Sequence, residues 1–194
     1  MQVENATKHI FEKLQTLLPD YLQYHSLKHT KDVIKQVFRI AKEEGITDEE
    51  ELSLLQTAAA YHDCGFLTSY NNHEERGCDI VQEVLPIYDY SQKQIDIIKK
   101  LIMATRVPQT AESRLEEIIC DADLDYLGRD DFFKIGAYLH DEFLFKGIVV
   151  DEDSWNNLQI KFLTNHTYFT GTNQNLREAK KQEHINAILQ KLNK

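Results

Sequence analysis

An all-α fold is what this sequence predicts, and three observations carry it. Apolar residues recur at intervals of three and four along most of the chain, the spacing that lines one face of a helix. Only 7 glycines and 3 prolines punctuate the 194 residues, too few turns for a sandwich or barrel of short strands. The 42% hydrophobic content is ample for one ordinary domain, which we take as 1–194, with its core over about 21–170.

Each element follows from local signals. Ile10, Leu14, Leu17 and Leu18 share a face of a first helix that must stop before Pro19. Val33, Ile34, Val37, Phe38 and Ala41 mark a second, with Gly45 as its stop. Thr47 is the expected N-cap of a third, followed by Asp48, Glu49 and Glu50, acids that suit the positive end of a helix dipole. That helix runs through Leu52, Leu55, Ala58 and Ala59 into His62. A fourth carries Ile80, Val81, Val84 and Leu85 and closes at Pro86; a fifth carries Ile95, Ile98, Leu101 and Ile102 and closes before Pro108. Leu115, Ile118 and Ile119 lead into an acidic segment around Asp123. Phe132 to Phe145, Trp155 to Thr167 and Leu176 to Leu192 read as three more, the last packing on the core as a C-terminal helix over 173–193. Gly147-Ile148-Val149-Val150 is the nearest approach to a β-like stretch, and it reads as a connection.

Composition narrows the function classes. The formal net charge of −10 repels nucleic-acid phosphates, which argues against extended nucleic-acid binding. A small phosphorylated substrate is compatible with that charge, because a bound cation reverses the local field. Three cysteines, Cys64, Cys78 and Cys120, are odd in number and lack zinc-ribbon spacing, as expected of a reducing cytoplasm. The first ten residues are polar, and no run of about 18 apolar residues exists to enter a membrane.

The chemistry lies in an ordered set of metal-type ligands: His29 in Tyr24-His25-Ser26-Leu27-Lys28-His29, adjacent His62-Asp63 after Ala58-Ala59-Ala60, and Asp123 in Asp121-Ala122-Asp123-Leu124-Asp125. Two imidazoles and two carboxylates make a mixed N/O site, suited to a divalent ion that keeps positions open for water and substrate. Adjacent residues on a helix project about 100° apart, so His62 and Asp63 reach one ion only at a helix end. Gly65 just beyond them fits such an end. Taken singly, each of these residues has an ordinary explanation as a buried histidine or a capping acid; the ordered combination does not. A second pair, His140-Asp141, is set aside because it follows Asp123 and lies in an aromatic-rich helix.

With these flanks, the order H…HD…D resembles the HD superfamily of metal-dependent phosphohydrolases, most closely its small stand-alone members. The likeness extends over roughly Tyr21 to Ile185 and includes His73-Glu74-Glu75-Arg76, Ile102 to Arg106, and Asp121 to Gly128. It implies an all-α HD-domain bundle of roughly eight to ten helices. It also implies a divalent ion (Mn²⁺, Mg²⁺, Fe²⁺, Co²⁺ or Zn²⁺) held by His29, His62, Asp63 and Asp123, with Asp121 the alternative last ligand. His73 and Glu74 would handle protons, with Asp63 orienting water. His25 and Arg106 would face the substrate, a small phosphorylated molecule and most simply a nucleotide. Rival readings are a cyclic-nucleotide phosphodiesterase and a module that senses a metal or nucleotide without catalysis. The family's multi-metal members place a further histidine near position 104 or 105, where this chain has Ala104 and Thr105. Phe66 stands where one nucleotidase branch has a glutamate.

Overall fold

Nine α-helices, joined by short 3₁₀ turns, make up the described residues 1–192 of the computed structural model. They are α1 (Val3–Leu17), α2 (Leu27–Glu43), α3 (Glu49–Tyr61), α4 (His73–Val84), α5 (Gln92–Ala104), α6 (Arg114–Asp123), α7 (Phe132–Phe145), α8 (Glu152–Asn165) and α9 (Gly171–Leu192). The end of the C-terminal helix expected at residue 193 lies outside the described residues. An all-α fold is therefore what forms, and no strand interrupts 146–153. Instead Asp151 and Ser154 build a reciprocal capping box that starts α8.

Three helix starts need correcting: α8 begins at Glu152 and α9 at Gly171, ahead of the expected Trp155 and Leu176, and α3 has a different cap. The cap of α3 is Asp48, not Thr47: the Asp48 carboxylate accepts from the Glu51 backbone N–H at 2.9 Å. Both residues are good caps, and the acid has the added attraction of the helix dipole. The stops fall as read. α1 ends at Leu17, α4 at Val84 ahead of a 3₁₀ turn containing Pro86, and Gly45 takes a left-handed φ of 75° after α2.

The helices bury two apolar clusters. The larger is built by α1 to α6, with Val33, Val37 and Ile40 of α2 meeting Leu55, Ala58 and Ala59 of α3, and Ile98 and Ile102 of α5 beside Ile118 of α6. Ala58, Ala59 and Ala60 are fully buried; side chains this small let neighbouring helices approach closely. The second cluster lies under α7, α8 and α9 and holds Tyr24, Tyr126, Leu127, Phe132, Leu163 and Ile188.

An ionic knot ties the two together. Asp125, 1% exposed, accepts from Arg39 Nη2 of α2 at 2.6 Å and from Arg177 Nε of α9 at 2.9 Å. Asn173 of α9 donates to the same carboxylate at 3.2 Å. A buried charge persists only when it is paired in this way.

Candidate metal centre

The end of α3 turns its last residues toward the starts of α2 and α4. His62 caps α3, and the chain then tightens into a 3₁₀ turn over Cys64–Leu67. Gly65 makes this possible, because a Cβ there would lie 1.8 Å from the His73 carbonyl oxygen. Asn72, held at φ 55°, then reverses the chain and sets His73 as the first residue of α4. Asparagine tolerates this left-handed backbone better than most residues.

His29 Nε2 lies 3.3 Å from His62 Nε2, 3.1 Å from Asp123 Oδ1 and 3.5 Å from Asp63 Oδ2. His62 Nε2 lies 3.1 Å from Asp63 Oδ2 and 3.5 Å from Asp123 Oδ1. Ligand atoms about 2.1 Å from a common centre stand roughly 3.0 Å apart at right angles and roughly 3.4 Å apart at the tetrahedral angle. The observed spacings match that range. His29, His62 and Asp123 each offer an atom within 4.8 Å of the others, and Asp63 joins through the two imidazoles.

Two details fit the cluster to a cation. Asp63 Oδ2 is buried without a hydrogen-bond partner, a costly state for a carboxylate unless a cation satisfies it. His62 Nδ1 donates to the Ala59 carbonyl at 2.9 Å, which leaves its Nε2 lone pair aimed into the cluster, the arrangement that orients metal-binding histidines. In the bare protein the charges answer one another. Burial would raise the Asp63 carboxyl, yet His62, His25 and His29 hold it well below the usual range. Asp123, similarly buried, is lowered to about 2 by His29 and His62.

The neighbouring candidates fall at defined places. His73 Nε2 lies 3.5 Å from Asp63 Oδ1 and 3.5 Å from Glu74 Oε1; burial lowers its imidazole against the opposing pull of those two carboxylates. Phe66 is sandwiched between His73, with centroids 4.0 Å apart, and His25, at 4.4 Å. Arg106 is paired with Glu75 and lies 3.6 Å from Glu74 Oε2. Asp121 sits apart from the imidazoles: it accepts from the Phe169 and Thr170 backbone N–H groups and the Thr170 hydroxyl, at 2.8, 2.9 and 2.6 Å. His140 stacks on Trp155, centroids 5.2 Å apart.

Glu142 was not singled out by the sequence reading. It is fully buried on α7, and its Oε2 lies 2.7 Å from His25 Nδ1. Its Oε1 accepts from the backbone N–H groups of Tyr24 and His25. Burial opposes charge on His25, but this carboxylate outweighs it and raises the imidazole. The only signal available was an acid on the apolar helix 132–145, a charge that needs a partner to be there.

Residues 26–127 match the HD domain family. The chain belongs to the HD domain family. The match contains His29, His62, Asp63 and Asp123 and ends before α7. An uncharacterized protein of Clostridium beijerinckii is 35% identical over 85 residues, 42% of this chain and 53% of that relative, so the chain spans about half the length of the protein it matches. A crystal structure of a predicted HD superfamily hydrolase from an uncultured Thermotogales bacterium superposes with a TM-score of 0.62. It is 20% identical and covers 95% of this chain and 90% of its own. At that identity the likeness speaks for the HD fold, here extended through α9.

Proposed function

We infer that this HD-domain chain is a metal-dependent phosphohydrolase acting on a small phosphorylated molecule. The observation that carries the reading is the unpartnered buried Asp63 Oδ2, facing two imidazoles whose lone pairs converge with Asp123. The similarity to a predicted HD superfamily hydrolase supports it. His29, His62, Asp63 and Asp123 would hold the ion. A divalent ion held there supplies a Lewis acid for a phosphoryl oxygen and lowers the pKa of a water.

The chain's own side chains supply the rest. His73, lining the cavity beside Asp63, accepts or returns a proton at Nε2, with Glu74 next to it. His25, braced by Glu142, presents a donor to the substrate's phosphate. Arg106 works through Glu74 and Glu75; to contact phosphate itself it would exchange Glu75 for substrate. The nucleotide is the narrower form that the family resemblance suggests; the aromatic side chains beside the site could stack on a base but offer few partners for its polar edge.

The test combines elemental analysis with phosphate release from a panel of esters and anhydrides, in Mn²⁺, Mg²⁺, Fe²⁺, Co²⁺ and Zn²⁺. Wild type is expected to hold an ion and turn over at least one compound. His62→Ala and Asp63→Ala are expected to lose both, by about a thousandfold or more in kcat/KM. Full metal content in those variants, or no turnover by loaded protein, would sink the reading.

A further inference from the structure

Behind the metal centre lies a cavity of about 410 Å³ that runs continuously from His25, Asp63, His73 and Asp123 to the helices α7 and α8. That volume lies within the roughly 300–1,000 Å³ typical of small-molecule sites. Its far walls are Phe132, Leu139, Phe143, Trp155, Phe162 and Leu163. Beyond the metal end its polar groups are the Gln159 amide and the Trp155 indole N–H; the phenols of Tyr24 and Tyr126 stand nearer the metal, Tyr24 stacked on His29. Gln159 is 9% exposed and makes no side-chain hydrogen bond among the described residues. The rim is apolar as well: Ile148 and Val107, both lining the cavity, are 49% and 55% exposed.

We propose that the organic part of the substrate is an apolar group, so that the protein acts on phosphate esters of alkyl, prenyl or aryl alcohols. The proposal rests on the phosphohydrolase reading and names its substrate class. The metal end and the neighbouring His25 take the phosphate, while α7 and α8 take the tail. A nucleoside fits these walls less well. A base and a ribose bring several donors and acceptors, and the chamber answers them with one amide, one indole N–H and two phenols, leaving most desolvated and unpaired. An apolar tail brings no polar group of its own to leave unpaired and gains from every methylene buried, leaving the Gln159 amide and the Trp155 indole N–H as the chamber's unanswered groups. The far walls on α7 and α8 come from residues beyond the stretch that matches the HD domain family, while Val107, Leu124 and Leu127 nearer the metal lie within it, so the depth of the chamber belongs to the part of the chain outside that match.

The experiment has a turnover arm and a binding arm. kcat/KM is measured for methyl, butyl, hexyl and octyl phosphate and for ribonucleoside monophosphates with metal-loaded protein. Butyl, hexyl and octyl phosphonate are titrated calorimetrically into loaded and metal-free protein. Expected is a gain of about fourfold per methylene in both arms, with octyl phosphate preferred over every nucleotide. Leu139→Trp, which fills the chamber, is expected to weaken octylphosphonate at least tenfold more than butylphosphonate. Gln159→Leu is expected to keep or tighten octylphosphonate binding. Should any variant misfold, the chain-length series in the unaltered protein still decides. Flat chain-length dependence with nucleotides preferred would overturn the apolar chamber and leave the hydrolase reading standing. Length-dependent phosphonate binding without turnover of any ester would support the chamber and overturn the hydrolase reading instead.

Discussion

The metal end and the chamber end of the cavity are built by different means. The metal end takes its side chains from α2, α3 and α6 and the start of α4, where ligands are fixed by helix termini, a glycine contact and one carbonyl. The chamber end takes its walls from α7, α8 and the turn after α6, where shape comes from packed aromatic and branched side chains. Few residue types can do the first job; many combinations can do the second. One end therefore leaves an ordered signature in a sequence, and the other leaves only hydrophobicity.

The strongest way to break this comparison is to cut what joins the halves. Asp125→Ala strands Arg39 and Arg177 beside α9 and is expected to cost about 3–5 kcal/mol. Hydrogen exchange should show α9 losing protection before α3 and α5; uniform loss across all helices would mean the halves are one cooperative unit. Metal removal is next in size. Ligands from several helices create a site that the unfolded chain lacks, so metal at a hundredfold excess over Kd should add about 2.7 kcal/mol. Superimposable melts with and without chelator, metal loss having been confirmed, would show the ion to be energetically minor.

A smaller effect probes the one residue by which α7 reaches into the metal end. Glu142→Gln keeps the shape but removes the charge that braces His25, and is expected to lower kcat/KM about 10–100-fold with metal content unchanged. Unaltered kinetics would make Glu142 a purely structural acid. A last test, whose size depends on pH, concerns the joint between the end of α8 and α9. Burial, and the Lys181 ammonium 3.4 Å from its Nδ1, lower the His166 imidazole from 6.5 to about 3. The unfolded chain binds a proton below about 6.5 while the folded chain refuses it, so this contribution is complete above that pH and shrinks as pH falls toward 3. The slope is at most about 1.4 kcal/mol per pH unit. Urea midpoints of wild type and His166→Gln should diverge between pH 6.5 and 4; parallel curves would mean that the site opens to water.

Much of the fold was legible because helix stops are local. Pro19, Gly45 and Pro86 act on the backbone beside them, whatever packs elsewhere. The convergence of His29, His62 and Asp123 was legible as a pattern of residue types in order. Glu142 was not, because its meaning is a contact 117 residues away with His25. The part played by Asp121, which grips the residues before α9, was hidden for the same reason: two acids two positions apart look alike until their partners are known.

The three cysteines give the helices that carry the metal end a clock. Cys64, Cys78 and Cys120 are all free and buried, and burial pushes each thiol up, Cys78 to about 11. Since the thiolate is the reactive form, a thiol reagent must wait for the surrounding helices to open. No cysteine follows Cys120, so alkylation would time the breathing of the metal end and stay silent about the chamber.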